Sequence, residues 1–339
     1  MGEAQTLDVA VLGATGAVGE VIVKLLEERD FPLGRLCPLA SDRSLGNKVL
    51  FGGKYLDVGD AAGFDFSRVQ IAFFAAGTEA AARYAPLAEA AGCFVIDSSA
   101  CFRADDDVPL VVPEVNAAAI GRFSERRIIA SPNGVTIPML VALKPIIDAV
   151  GIERVNVATY QAVSGEGQLA VKALAGQTVN LLSMREVETG PHGKQMAFNV
   201  LAQVGPVLDN GYTREEMEMV WGSQKVLGDE AIVINPTAAY VPVFFGNSLA
   251  LHIETREKIG AAEARELLTR APGVAMLGED DYPSVVTEAA GQDAVFVGRL
   301  REDISHPRGL DLWVVADNVR KGAALNSVQI AEILVKDYL

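Results

Sequence analysis

A buried strand that runs straight into a glycine-rich turn and then a helix fixes what the start of this chain can be. Leu7 to Leu12 reads LDVAVL, a run of strand length that is apolar but for Asp8, and Gly13-Ala14-Thr15-Gly16-Ala17-Val18-Gly19 follows it. Beyond the glycines, Ile22, Leu25 and Leu26 recur at helical spacing on one face. A strand with no polar alternation belongs to a parallel sheet covered on both sides. The glycines allow a tight turn and close backbone approach, and the helix amino end offers free N–H groups and a positive dipole, which is the arrangement that seats a pyrophosphate. The spacing is G-x-x-G-x-x-G rather than the usual G-x-G-x-x-G, so the position of the loop on a strand–turn–helix carries more weight than its pattern. Gly13, Thr15, Gly16, Ala17, Val18 and Gly19 are the first candidate cofactor-binding residues.

The second strand is expected to end near Leu39-Ala40, where Ser41-Asp42-Arg43-Ser44 follows. Arg43 between Ser41 and Ser44 suits a ribose 2′-phosphate and so NADP, whereas Asp42 could serve the ribose diol of NAD. Strand and helix then continue to alternate. Val69 to Ala75 is apolar but for Gln70. Gly77, a further candidate cofactor-binding residue, marks the turn into an alanine-rich helix through Ala90, and Cys93 to Ile96 is the next strand. Alternation of this kind argues a doubly wound parallel sheet, a Rossmann-type α/β domain. From about Val155 the pattern changes to β-rich segments: Val155 to Ala162, Ala231 to Ile234, Val241 to Ile253, Ala294 to Leu300 and Leu310 to Ala316. These are expected to form an antiparallel sheet carrying helices, a second domain of α+β type. Gly322 to Val335 reads as a final helix.

Charge and cysteine usage exclude several classes. The net charge of −15 argues against nucleic-acid or anionic-membrane partners, because both need a positive surface. Cys37, Cys93 and Cys101 form no close-spaced metal or redox pattern, and an odd count argues against a disulfide framework. No run of about 18 apolar residues would span a membrane. With Met1-Gly2-Glu3-Ala4-Gln5 lacking a signal-peptide layout, the expected location is the cytoplasm. The spacing of His192, His252 and His306 suits no metal site.

Longer motifs carry a family resemblance. They include Arg103 through Asn116 with its VPLVVPEVN, Ala130 to Ile137, and Thr159-Tyr160-Gln161-Ala162-Val163-Ser164-Gly165. Gln195 to Val200, Glu288 to Asp303 and Trp313 to Ile333 complete them. From Gly13 to its end the chain resembles the aspartate-semialdehyde dehydrogenases, and most of all their Usg-type paralogues, which keep the family frame without its active site. The resemblance implies a dinucleotide-binding domain over residues 1–133 and 322–339 and an α+β dimerisation domain over 134–321. It also implies NADP, with NAD as the alternative, and a homodimer, with a mixed dimer with an active family member as a further expectation. Ser164, Gly165 and Asn326 join the expected cofactor contacts, and Arg103 and Asn133 the expected substrate site.

The family's reaction uses a cysteine thiolate, and the resemblance places that nucleophile at Gly134, which has no side chain to attack with. The family's histidine falls on Asn247 and its carboxylate-holding arginine on Tyr240, while Gln161 keeps the family identity. The phosphate-holding lysine falls on Glu218, and Ser164-Gly165-Glu166-Gly167 adds a carboxylate to the family's Ser-Gly-Ala-Gly. Three functions are compatible with this pattern. The first is a nucleotide-binding pseudoenzyme, related to amino-acid biosynthesis through its family and acting through a partner. The second is an oxidoreductase that reduces another carbonyl without a covalent intermediate, using Tyr240 or Glu166 for protons. The third is an interaction scaffold with an empty cofactor site. A displaced nucleophile at Cys101 is a further alternative, against the plainer reading of a small buried apolar residue.

Overall fold

The computed structural model describes residues 6–40, 46–124 and 126–339. The chain divides into two compact units, Met1–Asn133 with Ala323–Leu339, and Gly134–Gly322. The first unit grows from the apolar runs noted above. Strand β1 (Leu7–Leu12) leads through the glycine turn into helix α1 (Ala17–Glu28), whose Ile22, Val23, Leu25 and Leu26 are buried. Strand β2 (Leu33–Ala40) follows, then an unexpected hairpin of β3 (Lys48–Phe51) and β4 (Lys54–Asp57). Its turn is Gly52-Gly53, both at positive φ, the backbone that a two-residue hairpin connection demands. The unit continues with β5 (Gly59–Asp60), β6 (Ile71–Phe74), α2 (Thr78–Ala90), β7 (Phe94–Asp97), α3 (Pro113–Asn116) and β8 (Ile128–Ala130). Six strands pair in the order β5-β2-β1-β6-β7-β8, every neighbouring pair parallel. The carboxy-terminal helix, Leu325–Tyr338, returns to this unit and buries Leu325, Val328, Ile330, Ala331 and Leu334 in the same core as β1, α1 and β6.

The second unit opens with α4 (Thr136–Val150), mostly buried, and β9 (Ile152–Gln161). Helices α5 (Gln168–Leu182) and α6 (Arg214–Leu227) precede β10 (Val233–Tyr240) and β11 (Asn247–Thr255). Then come α7 (Ala261–Arg270), β12 (Val274–Met276), β13 (Val295–Glu302) and β14 (Gly309–Ala316). The sheet order is β10-β9-β11-β14-β13-β12. Its centre is antiparallel as expected, but the two outer pairs, β10 with β9 and β12 with β13, are parallel. Helices α4, α6 and α7 pack on one face.

Three expected boundaries shift for local reasons. The segment Ala231 to Ile234 extends through Pro236 to Tyr240, which an edge strand tolerates because the missing N–H faces no partner. The run from Val241 to Ile253 breaks at a turn: Pro242 follows the bend, the Val243 N–H reaches back to the Val241 carbonyl at 2.7 Å, and Gly246 takes φ +90°. The last helix is preceded by one wide turn over Arg320–Ala324, so its regular part starts at Leu325.

Candidate active site and dinucleotide loop

In the first unit the glycine loop sits where β1 hands over to α1. Gly13 holds φ +88°, and a Cβ there would lie 2.5 Å from the Ala75 carbonyl. A Cβ on Gly19 would lie 2.1 Å from the Gly13 oxygen. Both glycines are therefore needed to pack the turn against its neighbours. Gly16 differs: it is extended, and the nearest atom to an added Cβ, the Gly13 oxygen, is 3.3 Å away. The residue before α1 is Gly16, which has no side chain with which to cap the first-turn N–H groups. Gly77, at φ +84°, turns the chain from β6 into α2 with open space beside it. These features fit a dinucleotide pyrophosphate, which would lie against the Gly16 edge and the amino end of the helix. Ser41, Arg43 and Ser44, the residues that bear on NADP against NAD, lie outside the described residues.

The other residues assigned to this unit are drawn into its interior. Arg103 donates from Nε to the Ser131 carbonyl and from Nη2 to the Ser98 carbonyl, both at 3.0 Å. Asn326 is fully buried and gives its amide to Val111 O at 3.0 Å and Ser131 Oγ at 2.9 Å. Asn133 is buried at the end of the unit. Cys101 donates its backbone N–H to Ser99 Oγ, while burial and the carboxylates of Asp97 and Asp105 push its thiol pKa up. That shift holds the thiol protonated, the opposite of what a displaced nucleophile needs.

In the second unit, Gly134 stands just ahead of α4, a helix whose amino end has no side-chain cap. Its φ is not left-handed, and an added Cβ would meet Gly322 O at 3.5 Å and Asn318 O at 3.6 Å, ordinary contacts. Neither backbone conformation nor space requires glycine here. Asn247 begins β11, buried, and accepts the Ala162 N–H at 3.0 Å, which ties the end of β9 to the start of β11. Gln161 donates to Thr159 Oγ1 at 3.2 Å and to Glu215 Oε1 at 3.3 Å. Tyr240, 5% exposed at the end of β10, donates its hydroxyl to Glu166 Oε1 at 2.7 Å. Burial, that hydrogen bond and the charges of Glu166 and Glu215 all push the Tyr240 pKa up.

Several contributors escaped the sequence reading. Asn318 accepts the Gly246 N–H at 2.8 Å and exchanges hydrogen bonds with Ser164, fixing the loop that carries Gly165. Asp317 accepts from Val319, Arg320 and Gly291 N–H groups and shapes the wide turn that follows. Both sit in the Asp317-Asn318 pair directly after an apolar strand, which was the available signal. Glu215, rather than Glu218, is the acid joined to Gln161, and Glu218 is paired with Arg214 at 4.0 Å. Of the histidines, His252, exposed on the otherwise mostly buried strand β11, contacts Asp311 at 2.5 Å, and His306 accepts from Arg308 N in a turn. The side chain of His192 is not among the described atoms. Among the described residues no cluster could hold a metal, and no helix is long and apolar enough to cross a membrane.

A parallel Rossmann-type sheet followed by a mixed sheet with helices on one face defines the two-part architecture of semialdehyde dehydrogenases. The family description "Semialdehyde dehydrogenase, NAD binding domain" matches residues 8–123, and "Semialdehyde dehydrogenase, dimerisation domain" matches 143–321. The chain is 55% identical over 335 residues to an aspartate-semialdehyde dehydrogenase of Shewanella sp., covering 98% of this chain and 99% of that one. It superimposes with a TM-score of 0.98 on aspartate semialdehyde dehydrogenase II from Vibrio cholerae, solved in complex with ASA, at 53% identity over 99% of this chain and 100% of that one. A probable aspartate-semialdehyde dehydrogenase from Pseudomonas aeruginosa gives 0.94 at 42% identity, with the same coverage. The chain belongs to the aspartate-semialdehyde dehydrogenase family.

Proposed function

We propose that this member of the family keeps a dinucleotide site and a homodimer but does not run thioester chemistry, and that it acts as a nucleotide-binding protein through a partner. Gly134 carries the reading. The position that the resemblance gives to the nucleophile holds no side chain, although the backbone and the space around it would accept one. Asn247, where the histidine is expected, has its oxygen engaged by a backbone N–H and cannot exchange protons near neutral pH. Tyr240, where a carboxylate-binding arginine is expected, points its hydroxyl at an acid. Loss of a covalent nucleophile typically removes turnover by about 10⁶-fold, and a missing proton carrier offers no rescue. The glycine loop, Gly16 above all, supports the retained dinucleotide, with NADP favoured over NAD through Arg43. Bound there, the nicotinamide would supply hydride chemistry; the chain's own part is to hold the pyrophosphate.

The test is phosphate-dependent oxidation of aspartate semialdehyde with NADP, run beside NADP and NAD titrations of the purified protein. Micromolar NADP binding without turnover supports the reading. Turnover at ordinary enzyme rates, about 1 per second or faster, sinks it. The name carried by relatives at 53–55% identity favours an active aspartate-semialdehyde dehydrogenase, which the same turnover assay reads directly. A further reading, from the site itself, is an oxidoreductase reducing another carbonyl with Tyr240 and Glu166 as the proton-bearing pair. It predicts NADPH consumption with some aldehyde or ketone. No NADP binding up to millimolar would leave the interaction scaffold, and a mixed dimer with an active family member is checked by co-purification.

A further inference from the structure

We infer that protonation of His252 loosens a dimer in which two copies of this chain cover the open face of the second unit's sheet. The inference rests on the homodimer of the reading above and on nothing at Gly134. Helices α4, α6 and α7 occupy the other face, and the family description that matches this unit is a dimerisation domain. His252 alternates with the buried Leu251 and Ile253 on β11, so its side chain, 51% exposed, stands on the open face. Register sets Asn156 of β9 and Asp311 of β14 to either side of it. Its Nδ1 lies 2.5 Å from Asp311 Oδ1, so Nδ1 keeps a proton in both charge states and Nε2 is where the titrating proton comes and goes.

The charges around the ring leave no carboxylate in excess. Arg301 of β13 meets the other Asp311 oxygen at 3.1 Å, and Arg154 and Glu254 oppose each other on β9 and β11. Arg299 and Tyr282 line the same groove, which holds about 470 Å³. Asp303 and His306 lie in the turn after β13, where the Asp303 carboxylate accepts from Ser305 N and Oγ. With His252 neutral, Arg299, Arg301 and Asp311 sum to one positive charge; with His252 protonated the sum is two. Covering the face takes that charge out of water, which costs far more for an imidazolium than for an imidazole. A twofold arrangement buries two such rings at once.

The experiment is sedimentation velocity of the full chain over a dilution series at about pH 8 and about pH 5.5, the span in which an imidazole changes charge. The dissociation constant should rise at least about tenfold at the lower pH, because each proton shed on association changes it by up to about tenfold per pH unit. His252→Asn stays neutral and keeps a nitrogen to donate to Asp311, so it should dimerise as the wild type does at the higher pH and hold at the lower. His252→Lys, charged throughout, should be weak at both. Circular dichroism melts at both pH values confirm that each protein is folded. A wild-type constant that ignores pH, one that moves equally in His252→Asn, or a tight His252→Lys dimer overturns the inference and leaves the dimer. A monomer at every concentration and pH removes the dimer and the inference together. None of these results touches the reading built on Gly134, which only turnover of aspartate semialdehyde removes.

Discussion

The Tyr240 hydroxyl lies 2.7 Å from Glu166 Oε1 and donates to it, joining the last residue of β10 to the turn after β9. Three effects act on this phenol in the same direction: burial, the hydrogen bond and the negative charges of Glu166 and Glu215 all favour its protonated form. A folded-state pKa above the ordinary value near 10 contributes stability that is fully present below about pH 10 and is lost as pH rises through the folded pKa. Tyr240→Phe removes both the bond and the titration. At pH 8 the variant should be less stable than the wild type by about 1 kcal/mol, the weight of one hydrogen bond. Above pH 10 the gap should narrow, because only the wild type still pays for keeping that proton. Urea unfolding at both pH values reads this directly, and a gap that widens with pH would refute it.

Gly134→Cys should fold. The added Cβ makes ordinary contacts of 3.5 and 3.6 Å, and no left-handed φ opposes it. Its thiol would stand at the amino end of α4, whose dipole lowers thiol pKa values. Iodoacetamide at pH 7 should label position 134 faster than Cys101 or Cys93; burial pushes the latter up to about 12. Peptide mass spectrometry after timed quenching gives the three rates. The family reaction should remain absent in this single variant, since Asn247 and Tyr240 are unchanged. By contrast Gly322→Ala, whose Cβ would lie 2.8 Å from the Gly134 oxygen, should destabilise by roughly 1–3 kcal/mol.

The glycines of the first loop separate binding from folding. Gly16→Val places bulk where the pyrophosphate is expected, and its Cβ at 3.3 Å from the Gly13 oxygen is a tight contact that a shift of a few tenths of an ångström relieves. NADP binding should fall at least about a hundredfold while the melting temperature moves little, because a steric block at a close approach costs several kcal/mol of binding only. Gly13→Ala meets the Ala75 oxygen at 2.5 Å and a φ of +88°, so its effect should appear first as lost stability. If Gly16→Val bound NADP as tightly as the wild type, the loop would not be the pyrophosphate site.

The parallel sheet was legible from the first strand onward because buried strands are written as nearly unbroken apolar runs: LDVAVL, apolar but for Asp8, and IAFF both fall where β1 and β6 lie. Gly13 and Gly16 were legible as a turn, but their division into a packing glycine and an open one depends on Ala75, far along the chain. The second sheet was harder. The parallel pairing of β10 and β12 at its edges depends on crossovers that alternation does not record. In the site, the identities of residues 134, 240 and 247 could be read from the resemblance. What could not be read is which acids Tyr240 and Gln161 meet, since Glu166 and Glu215 lie 74 and 54 positions away. Asn318 was invisible for the same reason: its partners, Ser164 and Gly246, are supplied by two other loops.

The sheet of the second unit carries its helices on one face and leaves aromatic groups on the other. Tyr160 is 37% exposed and its ring sits 5.6 Å from that of Trp313. Tyr282 and Arg299 flank the same shallow groove, with Arg299 forced to φ +56° where β13 slips register against β14. A one-sided sheet with this much apolar area in water favours a covering partner, and a second copy of the chain is the occupant that the dimerisation domain suggests. Tyr160→Glu places a charge at the centre of that face, where a twofold arrangement would bring two such charges together. Light scattering after size exclusion should show a dimer for the wild type and a monomer for the variant at the same concentration. If Tyr160→Glu remained dimeric, the covering surface would have to lie elsewhere, and the exposed Leu169 and Leu182 on α5, with Met184 just beyond it, would be the next face to alter.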